Sequence, residues 1–163
     1  MTPMTFEKAL SKAAHMCVQS EKAPQDVYDK LISWGMAPQL AEKIICQLKE
    51  EKFIDEDRFA HAFVHDKFEY EHWGKQKISY HLRGKGISES KIENAIDDVI
   101  SDEDYVSSLV DLLKSKLRNV SLPLEQNDCA RLYRFSMQRG FDSRTFSMAL
   151  KIAGDSSDDS DFE

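Results

Sequence analysis

Three glycines, each followed by an apolar residue, recur along the chain: Gly35-Met36 in SWGMA, Gly86-Ile87 in RGKGIS and Gly140-Phe141 in QRGFD. They stand 51 and 54 residues apart. The residues around them fall into register as well. Eight positions before each glycine are Val27, Ile78 and Leu132, and four before are Leu31, Leu82 and Ser136. Five and nine positions beyond the apolar residue come Ala41, Ile92 and Phe146, then Ile45, Ile96 and Leu150. Spacings of four keep side chains on one helical face. Ser136 alone breaks the pattern.

A helix running into each glycine needs a left-handed residue to end it, and glycine adopts that conformation without a Cβ penalty. The apolar residue after it folds back on the last turn. Met36 is expected to meet Leu31, and Ile87 to meet Leu82. In the third copy Phe141 is expected to meet Phe135, one position away from Ser136. A new helix starts two residues after each glycine. Asp142 and Ser88 are good N-caps. Ala37 is a poor one, but Pro38 suits the first turn.

A further helix precedes each pair. DEDRFAHAFVHDKFEYE (55–71) and DEDYVSSLVDLLKSKL (102–117) both open with Asp-Glu-Asp, which favours a helix N-terminus through capping and the macrodipole. Phe59 and Phe63, with Tyr70 as a candidate, mark one apolar face. Tyr105, Leu109 and either Leu112 or Leu113 mark the other. In the first copy the face reads Phe6, Leu10, Ala14 and Val18. The spacing therefore predicts an all-α chain of three tandem three-helix, helix-turn-helix-like repeats in an elongated, curved array. The repeats span 1–53, 54–100 and 101–154, and Gly35, Gly86, Gly140, Phe59, Ile78, Leu82 and Ile87 are structural. Residues 155–163, DSSDDSDFE, form an acidic tail expected to be disordered.

Charge narrows the function. The net charge is −7, and the tail contributes five carboxylates with no cation, so the rest is nearly neutral. A nucleic-acid surface, if present, must be local. Such a surface is offered by GKQKISYHLRGKGISESK (74–91), where Lys75, Lys77, Arg83, Lys85 and Lys91 face one acid, Glu89. Arg131, Arg134, Arg139 and Arg144 surround the third glycine turn. Two basic sets on equivalent elements suit one stripe facing phosphates or an acidic protein.

Other chemistries find little support. His61 and His65 are four apart on a helix, but no third ligand is evident, and surface histidines are the simpler reading. The Asp-Glu-Asp runs are helix starts rather than acid–base pairs. No phosphate loop, dinucleotide fingerprint or nucleophile elbow occurs. No enzyme activity, cofactor, metal or small-molecule substrate is expected. No apolar run approaches the ~20 residues that cross a bilayer, and the opening stretch MTPMTFEKAL lacks the basic flank and apolar core expected of a signal peptide. Cys17, Cys46 and Cys129 are far apart and read as thiols in a reducing cytoplasm.

The middle repeat resembles the RecX family of bacterial recombination regulators. LKEEKFIDEDRFAHAFVHDKF followed by GKQKISYHLRGKGISESKIENAI carries the family pattern at Asp55, Arg58, Phe59, Ala60, Gly74, Ile78, Leu82, Lys85, Gly86 and Ile87. The likeness extends more loosely over residues 5–153. It implies three tandem three-helix repeats and a protein that binds the RecA filament on single-stranded DNA and modulates it, most often by inhibition, with direct DNA contact in some members. On that reading Lys75, Lys77, Arg83 and Lys85 contact the filament or DNA, with Arg131, Arg134, Arg139 and Arg144 next. Arg58 serves either a partner or an internal ion pair. The acidic tail is outside the family pattern and is expected either to repel DNA or to compete with it for the basic stripe. Two other readings remain: a DNA-binding helix-turn-helix protein acting without RecA, and a helical scaffold for another protein.

Overall fold

The computed structural model describes residues 4–160, with side chains through Asp155. Among the described residues it contains nine helices and no strand. They are α1 Phe6–Gln19, α2 Pro24–Ser33, α3 Pro38–Glu50, α4 Glu56–Glu69, α5 Lys75–Gly84, α6 Glu89–Val99, α7 Asp102–Leu117, α8 Gln126–Gln138 and α9 Ser143–Ser160. The order is three repeats of a leading helix and a helix pair around a glycine turn.

All three turns share one hydrogen-bonded form. Gly35, Gly86 and Gly140 have φ of +89°, +83° and +100°. In each, the N–H of the apolar residue donates to the carbonyl five positions back: Met36 to Leu31 at 3.1 Å, Ile87 to Leu82 at 3.1 Å and Phe141 to Ser136 at 3.0 Å. This is the Schellman closure of a helix. Met36, Ile87 and Phe141 are buried. Ser136 is fully buried too, and its hydroxyl donates to the Leu132 carbonyl at 2.8 Å. The polar residue is thus satisfied by its own helix. Phe141 finds its ring partner in Tyr105, stacked with centroids 5.0 Å apart.

Two further helix ends are left-handed without glycine. Lys52 has φ of +63° and His72 of +57°. Behind Lys52 the Phe53 N–H reaches the Leu48 carbonyl at 2.8 Å, the same closure as in the glycine turns.

The starts follow the capping chemistry. Thr5 Oγ1 accepts from Lys8 N–H, Asp55 from Arg58 N–H, Ser101 from Asp104 N–H and Asp142 from Thr145 N–H. The two Asp-Glu-Asp runs differ by one register position: Asp55 caps α4, whereas Asp102 is the first residue inside α7, behind the cap Ser101. Ala37 caps nothing with its side chain, and Pro38 opens α3.

Two compact units result. The first comprises Met1–Phe63 and His81–Ala95, the second Val64–Tyr80 and Ile96–Glu163. Each of α4, α5 and α6 contributes residues to both. In the first unit the buried seam of α1 is Ala9, Ala13 and Cys17. The expected face is corrected: Phe6, Leu10 and Ala14 flank the seam half-buried, and Val18 is 71% exposed. Small side chains at the seam let α1 sit close to its neighbours, and the larger ones cover its edges. Leu31, Ile44 and Leu48 complete that core.

In the second unit Tyr105, Leu109, Val110, Leu113 and Leu117 bury one face of α7. Leu113, not Leu112, is the core residue. Val64 and Phe68 carry the apolar face of α4 here. Tyr70 does not: the helix ends at Glu69, and Tyr70 is 73% exposed. The helix α9 continues through Ser160, six residues into the stretch expected to be without structure. Residues 161–163 lie outside the described residues.

Candidate functional site

The sequence-derived cations divide between the two units. Arg58, Arg83 and Lys85 belong to the first, where each has an internal partner. Arg58 Nε donates to Glu21 Oε1 at 2.6 Å, and Nη2 donates to the Lys52 and Phe53 carbonyls at 3.0 and 3.4 Å. Of the two roles open to Arg58, the internal ion pair is present. Lys85 Nζ donates to both Asp26 oxygens at 3.0 and 3.2 Å and lies 5.8 Å from the Phe59 ring. It thereby joins the glycine turn after α5 to the first turn of α2. Arg83 pairs with Glu89 across the same turn, through Nε to Oε1 and through Nη2 to Oε2 at 3.3 Å.

A second charged joint in this unit escaped the sequence reading. Glu56 is held by Lys49 at 3.0 Å and Lys91 at 3.0 Å. Burial pushes the Glu56 carboxyl up. Hydrogen bonds from Lys49 and Lys91 outweigh that and leave it below its ordinary 4.5. Charges at sequence distance gave no signal of the pairing.

The second unit gathers the other cations around a main-chain contact. Gly74 N–H donates to the Arg139 carbonyl at 2.7 Å, and Gln76 N–H to the Gly140 carbonyl at 3.0 Å. The approach is so close that a Cβ on Gly74 would lie 2.3 Å from the Gly140 carbonyl carbon. Arg139 closes the joint by donating from Nη1 to the Glu71 carbonyl at 2.7 Å. Four of the expected cations, Lys75, Lys77, Arg139 and Arg144, are thus brought together at the start of α5 and the α8–α9 turn.

Aromatic rings seat several of them. Lys75 Nζ is 4.5 Å from the Tyr105 ring centroid and 3.9 Å from Asp102. Lys77 and Lys67 lie 4.5 and 4.8 Å from the Trp73 centroid. Arg139 and Lys116 lie 5.3 and 4.7 Å from that of Phe135. Cation–π attraction at such distances contributes about 0.5–1 kcal/mol at exposed sites. Lys67, Lys116 and Trp73 were missed in sequence, and Phe135 was read only as a partner for Phe141, although the alternation of Trp73 with Lys75 and Lys77 was a signal for the tryptophan.

The N-terminus of α5 would attract an anion on dipole grounds. Its donors are occupied instead: Lys75 N–H donates to Tyr105 Oη at 3.0 Å, and Gln76 N–H to Gly140. Burial raises the Tyr105 phenol to about 12, against the opposing hydrogen bond from Lys75. Arg144 shares a hollow of about 310 Å³ with Lys75, Asp102, Tyr105 and Asp142. Further along α8, Arg131 pairs with Asp128 at 2.5 Å. Arg134 and Arg144 are exposed and have no hydrogen bond or ion pair among the described residues.

No group of three histidine, cysteine or acidic side chains that could hold a metal occurs among the described residues. His61 Nδ1 bonds the Asp57 carbonyl at 2.7 Å, and His65 sits beside Asp66. Among the described residues no helix is long and apolar enough to cross a membrane.

Residues 55–96 match the family model described as RecX, second three-helix domain. The regulatory protein RecX of Clostridium tetani is 33% identical over 140 residues, covering 83% of this chain and 62% of that protein. The RecX of Oceanobacillus iheyensis is 28% identical over 98% of this chain and 58% of its own length. That of Chlorobium phaeobacteroides is 28% identical over 88% and 92%. The chain thus spans about three fifths of the length of the first two. Two crystal structures share the fold. RecX from Lactobacillus salivarius has a TM-score of 0.81 at 19% identity, covering 91% of this chain and 96% of that one. Another regulatory protein RecX has 0.78 at 23%, covering 90% and 71%.

Proposed function

We propose that this chain, a relative of the RecX regulatory proteins, binds the RecA filament on single-stranded DNA and restrains it. The restraint acts on ATP hydrolysis, strand exchange or filament extension, without chemistry of its own. The observation that carries this reading is the breadth of the likeness: proteins named as RecX regulators align along as much as 98% of the chain, in the helix order described above. The protein works in the cytoplasm, where such a filament forms.

The contact surface we assign is the basic cluster of the second unit. Arg134 and Arg144 have no internal partner among the described residues, so engaging an acidic partner breaks nothing. Lys75, Lys77 and Arg139 surround the same joint, and Arg131 extends it along α8. Arg83 is an exposed contact of the first unit that must first leave Glu89. Lys85 and Arg58 act chiefly as internal joints.

The test is RecA ATPase activity on single-stranded DNA, titrated with the protein. Inhibition reaching its plateau near a fixed protein-to-RecA ratio is expected, and no effect at stoichiometric amounts refutes the reading. Arg134→Glu with Arg144→Glu should raise the half-inhibitory concentration roughly tenfold. Salt-sensitive DNA binding with no effect on RecA would make the protein a plain DNA binder.

A further inference from the structure

Beyond Ser136, the third repeat differs from the other two at a pair of positions in its last helix. Eight and twelve residues after the turn glycine, the first repeat has Lys43 and Gln47, and the second has Asn94 and Asp98. The third has Met148 and Ile152. The repeat does not need apolar residues there, since two of three copies do without them. Met148 and Ile152 are 47% and 45% exposed. With Val106 and Val110 of α7 they line an open groove of about 430 Å³ between α7 and α9. An apolar patch of this kind on a soluble helical unit marks a contact surface.

Charges on the rim indicate the occupant. On the α7 side Asp102 and Glu103 line it; on the α9 side Arg144 lies in the adjoining hollow that shares Asp102, Val106 and Met148 with it, and the exposed Lys151 precedes Ile152 in the helix. Glu103, Arg144 and Lys151 have no ion pair among the described residues, and Asp102 has only Lys75 at 3.9 Å. Opposite signs thus sit on the two walls of one groove without being joined to each other. A basic or an acidic partner helix would satisfy one wall and oppose the other. A second copy related by a two-fold axis satisfies both, because α9 of each copy then faces α7 of the other.

The geometry points to this groove as the interface of a symmetric homodimer, with Met148 and Ile152 against Val106 and Val110 at its centre. Arg144 and Lys151 meet Asp102 and Glu103 of the other copy, twice over. The inference does not require action on RecA, but Arg144 belongs to both assigned surfaces; the Asp102→Lys with Glu103→Lys variant, which leaves Arg144 in place, separates the two.

Sedimentation velocity of the full chain, from low to high micromolar concentration, tests it. A reversible monomer–dimer equilibrium is expected, and a monomer at every concentration overturns the inference. Arg144→Glu with Lys151→Glu, or Asp102→Lys with Glu103→Lys, should each weaken dimerisation by about tenfold or more, since four charge contacts become repulsive. An equimolar mixture of the two double variants should recover the dimer, because in the heterodimer one facing set keeps its native signs and the other has them exchanged. Dimers that ignore these changes, or a mixture that stays monomeric, would also overturn it. Trp73 emission on unfolding verifies that each variant's second unit is folded. Met148→Glu tests the apolar centre with the rim charges unaltered and should abolish association while leaving that unfolding curve in place.

Discussion

Replacing the turn glycines one at a time by alanine separates two roles that glycine plays here. At Gly35 and Gly86 an added Cβ meets nothing within 4 Å. Only the left-handed backbone opposes it, at about 1–2 kcal/mol. At Gly140 the same backbone penalty applies, and the Cβ would also lie 2.4 Å from Lys77 Cβ and 2.7 Å from Lys77 N. Neither atom is the end of a flexible chain, so α5 must move away. That motion pulls on the hydrogen bonds from Gly74 to Arg139 and from Gln76 to Gly140, each worth about 0.5–1.5 kcal/mol net. Gly140→Ala should therefore cost about 2–5 kcal/mol, against about 1–2 for Gly35→Ala or Gly86→Ala. The chain provides its own reporters, since Trp34 lies in the first unit and Trp73 in the second. Urea unfolding, followed by fluorescence in single-tryptophan backgrounds and by circular dichroism, reads each unit. Equal losses for Gly86→Ala and Gly140→Ala would refute the reasoning, because they would leave the close approach of α5 without energetic weight.

Two titrations follow from the surroundings of Glu56 and Tyr105. The Glu56 carboxyl sits below its ordinary 4.5 in the folded chain, so its contribution is present above that pH and is lost as pH falls through the folded value. Glu56→Gln should accordingly be less stable than the parent at pH 7, with the gap closing in acid; urea midpoints across pH would show it, and a gap constant with pH would contradict it. Tyr105 is raised from 10 to about 12, so its contribution is intact below 10 and is lost as pH rises toward 12. Ultraviolet titration should find one late phenol that disappears in Tyr105→Phe, and the parent's second unit should lose stability across that alkaline window.

The helix–glycine–helix units were legible because their causes are local. A left-handed glycine, an apolar residue behind it and side chains four apart are all visible within twenty residues of one another. The end of α3 was not, because lysine at Lys52 gives no sign of a positive φ. The α1 seam was misread because Phe6, Leu10 and Val18 look more like core than Ala9 and Ala13 do, and only the nearness of the neighbouring helices decides for the small residues. The site was legible as a set of cations and not as a set of free ones. Lys85 meets Asp26 across 59 positions and Arg58 meets Glu21 across 37, separations at which charge in a sequence predicts no pairing. The cations at Lys75, Lys77, Arg139 and Arg144 were read as one stripe on the repeat argument. Their gathering depends on the contact of Gly74 with Gly140; both glycines had been singled out, but nothing in the sequence signalled that they meet.

That contact separates shape from chemistry. The start of α5 and the α8–α9 turn are fastened largely by peptide groups, which every sequence possesses once the two glycines are in place. The side chains that project from it at positions 75, 77 and 144 are not its fasteners. A related chain can therefore exchange lysine for arginine, or remove a charge outright, and the joint keeps its form. The basic surface is in this sense an interchangeable facing on a fixed hinge plate, free to change without a refolding of its support.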